Sequence, residues 1–128
     1  MLEITYNNQD IKLDRFFESL VYRYIIDTDF TINERGILMF ITRKTIGWDK
    51  LSDNIGFKEF TWSLNLSEKT IRKTINDLLE SGHIIKEASK GGKSINRDKY
   101  SNYKLGNKIL GNLIDEWIDI KELNGFIV

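Results

Sequence analysis

From residue 57 to residue 85 the chain reads FKEFTWSLNLSEKTIRKTINDLLESGHII. Two apolar patterns of helical period lie on either side of one short break. Phe57, Phe60 and Leu64 recur at spacings of three and four, which predicts a helix over 57–63. Ile71, Ile75, Leu78 and Leu79 predict a second helix over 68–80. Leu64-Asn65-Leu66 leaves room only for a tight turn between them. Asn65 tolerates the left-handed backbone that such a turn needs. Ser67 has the side chain of an N-cap, and Gly82 stands where a C′ glycine is expected. Beyond Gly82 the helical period stops. Residues 83–89 are expected to form a strand, Lys90-Gly91-Gly92-Lys93 a turn, and 94–105 a second strand carrying Tyr100 and Tyr103.

Upstream, Thr31 and Glu34 have the T-x-x-E spacing of a capping box. The helix they open runs over 31–46 and carries Ile37, Leu38, Phe40 and Ile41. Gly36 weakens it by about 1 kcal/mol relative to alanine. Arg43, Lys44, Gly47 and Trp48 close it, with Gly47 the expected C-cap. Residues 50–56 are expected to hold a turn and a very short strand. Further upstream, Leu2–Tyr6 and Ile11–Leu13 resemble the arms of a small hairpin around Asn7-Asn8. Asp14 can cap a helix whose stripe, Phe16, Phe17, Leu20, Val21, Tyr24 and Ile25, is expected to face the core. Downstream, a helix over 107–123 carries Leu110, Leu113, Ile114, Trp117 and Ile118, with Ile109 and Ile120 widening the face.

The order is helix, short strand, helix, tight turn, helix, hairpin, the order of a winged helix-turn-helix. The expected fold is therefore mainly α with a small β-hairpin: a winged helix-turn-helix with additional N- and C-terminal helices. The chain is read as one domain over 1–128. Residues 1–30 form an N-terminal hairpin and helix extension, 31–106 the winged core, and 107–123 the C-terminal helix.

Composition narrows the function. The chain has 128 residues, no cysteine and one histidine, His83. Thiolate chemistry and multi-histidine metal sites are excluded. The carboxylates show no spacing for paired-carboxylate or metal catalysis, and Gly91-Gly92-Lys93 lacks the setting of a phosphate loop. His83 is expected to be a surface residue at the start of a strand. The reading is of a protein that is not an enzyme and needs no cofactor or metal. No apolar run approaches the roughly 20 residues of a membrane span. The N-terminus has no secretory pattern, so no membrane partner and a cytoplasmic location are expected.

The formal net charge is zero, but it is unevenly distributed. Residues 1–40 carry −3, 41–66 carry +1, 67–80 are neutral, 81–108 carry +5, and 109–128 carry −3. A local basic stretch is what phosphate contact requires. With Ile71, Ile75 and Leu78 turned inward, Lys69, Lys73, Asn76 and Asp77 point outward, with Thr70 and Arg72 on the flanks. Arginine and lysine suit guanine acceptors and asparagine suits adenine. Ser67 and the first turn offer amides to a phosphate. The expected DNA-binding set is Ser67, Lys69, Thr70, Arg72, Lys73 and Asn76 on the helix, with Lys90, Lys93, Arg97 and Lys99 on the hairpin. Lys86 adds to the hairpin's charge. Each group also has a plainer explanation, a solvated helix face and a lysine-protected strand edge.

The run Arg43-Lys44-Thr45-Ile46-Gly47-Trp48-Asp49-Lys50 resembles the R-K-T-x-G-W/Y-x-K segment of the N-terminal winged-helix domain of phage replication initiators, of the replication protein O and replisome-organizer type. Asp53, Ile55, Phe57, Phe60, Leu66, Ser67, Thr70, Ile71, Ile75, Leu78, Gly82 and Ile84 fall at that family's spacing. The resemblance implies a recognition helix over 68–80 that touches an origin repeat, with the end of the preceding long helix packed beneath it. Members are usually longer, with a C-terminal part that recruits a helicase or its loader. Here about 20 acidic, amphipathic residues follow the hairpin, and helicase recruitment is not expected of them.

The expected function is duplex DNA binding by a phage or plasmid protein that marks a site such as a replication origin. A transcriptional regulator, or a partition or transfer-origin accessory protein, would use the same residues. A winged-helix protein–protein adaptor without DNA binding is the alternative from a different class. The helices at 14–26 and 107–123 both have wide apolar faces. They suit either a two-fold pairing into a homodimer that reads two half-sites, which is the expectation, or packing onto their own domain.

Overall fold

The first element is closed by two consecutive asparagines. Asn7 and Asn8 have φ of 50° and 64°, the left-handed pair that a two-residue hairpin turn requires. They join β1 (Leu2–Tyr6) to β2 (Gln9–Leu13), which pair antiparallel with Tyr6 opposite Gln9. Strand alternation turns Leu2, Ile4, Ile11 and Leu13 inward. A computed structural model describes residues 2–89 and 100–123.

The Asp14 carboxylate accepts from the amides of Phe16 and Phe17 and opens α1 (Arg15–Asp27). Phe17, Leu20, Val21 and Ile25 are buried. Phe16 departs from the expected core stripe and is 40 % exposed. It lies one position from Phe17, about 100° around the helix, and its ring sits instead under the Lys121 ammonium at 5.4 Å. The capping box of Thr31 and Glu34 is formed and opens α2 (Ile32–Lys44). Thr42 and Thr45 are buried, but their hydroxyls donate to the Leu38 and Ile41 carbonyls at 2.7 Å. The helix ends at Thr45, earlier than expected, and Gly47 does not cap it. Ile46–Trp48 continue as one 3-10 turn, and the left-handed residue that closes it is Asp49, φ 57°.

Next come β3 (Asp53–Ile55), α3 (Phe57–Leu64), α4 (Glu68–Glu80), β4 (Ile84–Ala88), β5 (Ser101–Leu105) and α5 (Asn107–Leu123). The last three strands form an antiparallel sheet of order β3-β5-β4, with Asp53 opposite Tyr103 and Ile84 opposite Leu105. Tyr103 lies in β5, whereas Tyr100 precedes the strand and its ring covers Gly56, leaving no space there for a side chain. The turn expected at 90–93 and the strand residues expected at 94–99 lie outside the described residues.

Phe60 is fully buried. Its ring meets Phe40 of α2 at 5.3 Å and Tyr103 of β5 at 5.2 Å, both edge-on, the favoured arrangement for aromatic pairs. One apolar cluster runs from Leu2 to Trp117. The architecture is mainly α, with five α-helices and small antiparallel sheets among the described residues.

α1 and α5 pack against each other. The Trp117 indole N–H donates to Asp14 at 3.1 Å, Lys121 meets Asp14 at 2.6 Å, and Arg23 meets Glu116 at 2.7 Å. The apolar faces expected to pair across a two-fold axis are thus covered within one chain. That removes the exposed surface on which the expectation of a dimer rested.

His83 is also not the surface residue expected. It is partly buried, with its ring edge-on to Phe30 at 4.8 Å and Nδ1 2.6 Å from the Ser81 hydroxyl. Burial lowers its pKa, the Lys108 charge lowers it further, and Glu34 opposes both.

Candidate nucleic-acid interface

The turn between α3 and α4 is three residues long, Asn65-Leu66-Ser67. Asn65 takes φ 54° and ψ 44° and ends α3. Ser67 then starts α4: its hydroxyl accepts from the Thr70 amide at 3.2 Å and donates to the Thr70 hydroxyl at 2.9 Å. Capping by serine contributes about 1 kcal/mol and sets the direction in which the helix leaves the turn.

α4 has two sides. Ile71, Thr74, Ile75 and Leu78 are buried. Lys69, Arg72, Lys73 and Asn76 are exposed, and Thr70 is half-buried on the flank. Lys69, Lys73 and Asn76 are three of the four residues the amphipathic pattern assigned to the outward face; the fourth, Asp77, is half-buried, and Arg72, assigned to a flank, is exposed. Two of the exposed side chains are held by acids on the same helix. Arg72 meets Glu68 at 2.9 Å and also lies 4.9 Å from the centre of the Phe57 ring. Lys73 meets Asp77 at 2.9 Å, and that hydrogen bond and charge raise its pKa. Thr74 is buried because its hydroxyl donates to the Thr70 carbonyl at 2.8 Å, which makes it inward-facing without an unsatisfied group.

The hairpin leaves the C-terminal end of α4 through Gly82, whose φ of +80° favours glycine. Gly106 returns the chain beside it, its amide donating to the His83 carbonyl at 2.7 Å. Lys86 is exposed on β4. The other predicted hairpin contacts, Lys90, Lys93, Arg97 and Lys99, lie outside the described residues. The described structure therefore brings together Ser67, Lys69, Thr70, Arg72, Lys73 and Asn76 on one helix.

The resemblance implied that the end of α2 lies beneath the recognition helix. α2 packs against α4, and the run at 43–50 is split between two environments. Thr45 and Ile46 are buried, whereas Arg43, Lys44 and Trp48 line an open groove shared with α3. Trp62, on α3, lines the same groove and is 88 % exposed. This groove was not among the expected sites. A signal was present, because Phe57, Phe60 and Leu64 facing inward leave Trp62 on the outer side of its helix.

Among the described residues no group of three or more His, Cys, Asp or Glu could hold a metal ion, and no helix is long and apolar enough to cross a membrane. The family model for bacteriophage replication protein O matches residues 16–103, from within α1 to within β5. No curated protein matches the chain significantly.

Proposed function

The chain belongs to the bacteriophage replication protein O family, and from that premise we propose that it marks a site on duplex DNA, such as a replication origin. In this reading α4 enters the major groove as the recognition helix of a winged helix-turn-helix, and the hairpin containing β4 and β5 lies on the phosphate backbone. The observation that carries it is the division of α4, with Ile71, Ile75 and Leu78 anchored in the core and Lys69, Arg72, Lys73 and Asn76 exposed opposite them. Family membership favours replication over transcription, partition or transfer-origin roles. Marking a site needs no catalytic step, cofactor or metal, and the proposal includes none.

A protein–protein adaptor is the second reading. The pairs Arg72–Glu68 and Lys73–Asp77 favour it, because they leave the α4 face nearly neutral. Magnitudes weigh against it. Exposed i,i+4 pairs contribute about 0.3–0.5 kcal/mol each, so a phosphate can displace the carboxylate at little cost. Charge-assisted contacts to a phosphate are stronger than that.

The test is selection of bound duplexes from a random-sequence library. The expected result is enrichment of one sequence family. Asn76→Ala should relax the preference at one position, with a loss of about 1–3 kcal/mol for the preferred base there. A library that emerges unenriched would remove the site-marking role.

A further inference from the structure

On α4, Arg72 is held from two sides. Its guanidinium carbon lies 4.9 Å from the centre of the Phe57 ring, and one terminal nitrogen meets the Glu68 carboxylate at 2.9 Å. Phe57 opens α3 and is half-buried against the apolar cluster, which fixes its ring. Glu68 opens α4, where a carboxylate suits the helix dipole. Glu68 and Arg72 are both exposed, on the first two turns of the helix. A ring under the guanidinium and a carboxylate at one end of its fork restrict a side chain that otherwise has many rotamers. Lys73 is also paired, with Asp77 at 2.9 Å, but an ammonium is a point charge with no plane to orient.

We propose that Glu68 and Arg72 act as one unit that reads a single G·C base pair, with Phe57 as the residue that positions the arginine. The inference rests on duplex recognition by α4 and names a base pair that this reading leaves open. In the major groove guanine presents two acceptors, O6 and N7, and its cytosine presents a donor, the N4 amino group, beside them. An arginine fork matches the two acceptors, and a carboxylate matches the donor. Only guanine sets two acceptors side by side; adenine puts a donor in the second place. Glu68 and Arg72 are in contact with each other, so one base pair can meet both at once. A phosphate is the other partner for the fork, but it would have to displace Glu68 or stand beside it as a second anion. A base edge is uncharged and requires neither. The first turns of a recognition helix are also the part that meets base edges.

The test takes the duplex that the wild type selects from a random library and measures affinity for it and for its single-pair replacements. The wild type should prefer G·C at one position by about tenfold or more. Arg72→Lys keeps the charge and loses the fork. It should lose that preference, while the salt dependence and the preference read by Asn76 stay as in wild type. Glu68→Ala should relax the same position and no other. Phe57→Leu keeps an apolar side chain but removes the π face, and should weaken the same preference by about two- to fivefold, with an unchanged salt dependence. A G·C preference retained by Arg72→Lys would overturn the proposal. So would an equal loss on every duplex, which would make Arg72 a phosphate contact, or relaxation at different positions in the Arg72 and Glu68 variants. All three leave duplex recognition standing. A wild type that selects no sequence would instead overturn the duplex reading and this inference together.

Discussion

Asp14 joins the two ends of the chain. Its carboxylate accepts from two amides of α1, from the Trp117 indole and from the Lys121 ammonium. Burial acts to raise its pKa, but the hydrogen bonds from Lys121 and Trp117, with the Lys121 charge, outweigh burial and hold it below the ordinary 3.8. A carboxylate with a lowered folded pKa stabilises the fold above its unfolded pKa and loses that contribution as pH falls through the folded value. Asp14→Ala should therefore cost about 2 kcal/mol near neutral pH, from the lost cap and the unpaired indole donor. In urea unfolding the gap from wild type should narrow below about pH 4. A gap that persists unchanged in acid would mean the charge of Asp14 contributes nothing. The cap itself was legible from Asp14 preceding an apolar stripe. The indole and ammonium partners were not, because they come from about a hundred positions away.

At the scale of the element, the turns and caps follow from their own residues. Asn7-Asn8, Thr31 with Glu34, Asn65 and Ser67 all act where their chemistry indicated, because each makes contacts within a few positions. Glycines divide differently. Gly36 lies inside α2, and among the described residues the Leu64 side chain, 3.5 Å from where a Cβ would be, makes only ordinary contact. A methyl at Gly106 would overlap the Gly82 carbonyl oxygen. Gly36→Ala should raise stability by about 0.5–1 kcal/mol, and Gly106→Ala should lower it by about 2–3 kcal/mol. Thermal melts of the two variants check both, and equal shifts would contradict the packing described. Sequence spacing alone cannot separate these two glycines, because the neighbour that excludes a methyl at Gly106 belongs to another strand end. The Trp48–Trp62 groove escaped notice for the same reason. It exists only because α3 lies across the end of α2. Phe16 was misplaced because α5, not the stripe of α1, determines which edge of that stripe is covered.

At the scale of the molecule, charge becomes sorted by packing. The two segments of −3 include α1 and α5, which pack together and pair through Arg23–Glu116 and Lys121–Asp14. The +5 segment includes β4 and β5 and follows directly from α4. A zero total is thus compatible with a local basic surface, and the local field governs phosphate contact. The α4 face could be anticipated because an amphipathic helix announces its outer side. The most direct measurement is fluorescence anisotropy of a random-sequence duplex across a salt series. It compares wild type, Lys69→Ala/Lys73→Ala and Lys90→Ala/Lys93→Ala/Arg97→Ala. The account predicts binding that weakens steeply with salt, with the log–log slope reduced by about one for each cation removed from a phosphate contact. Absence of binding at low salt, or a slope unchanged in both variants, would contradict it and leave α4 as a protein-binding face.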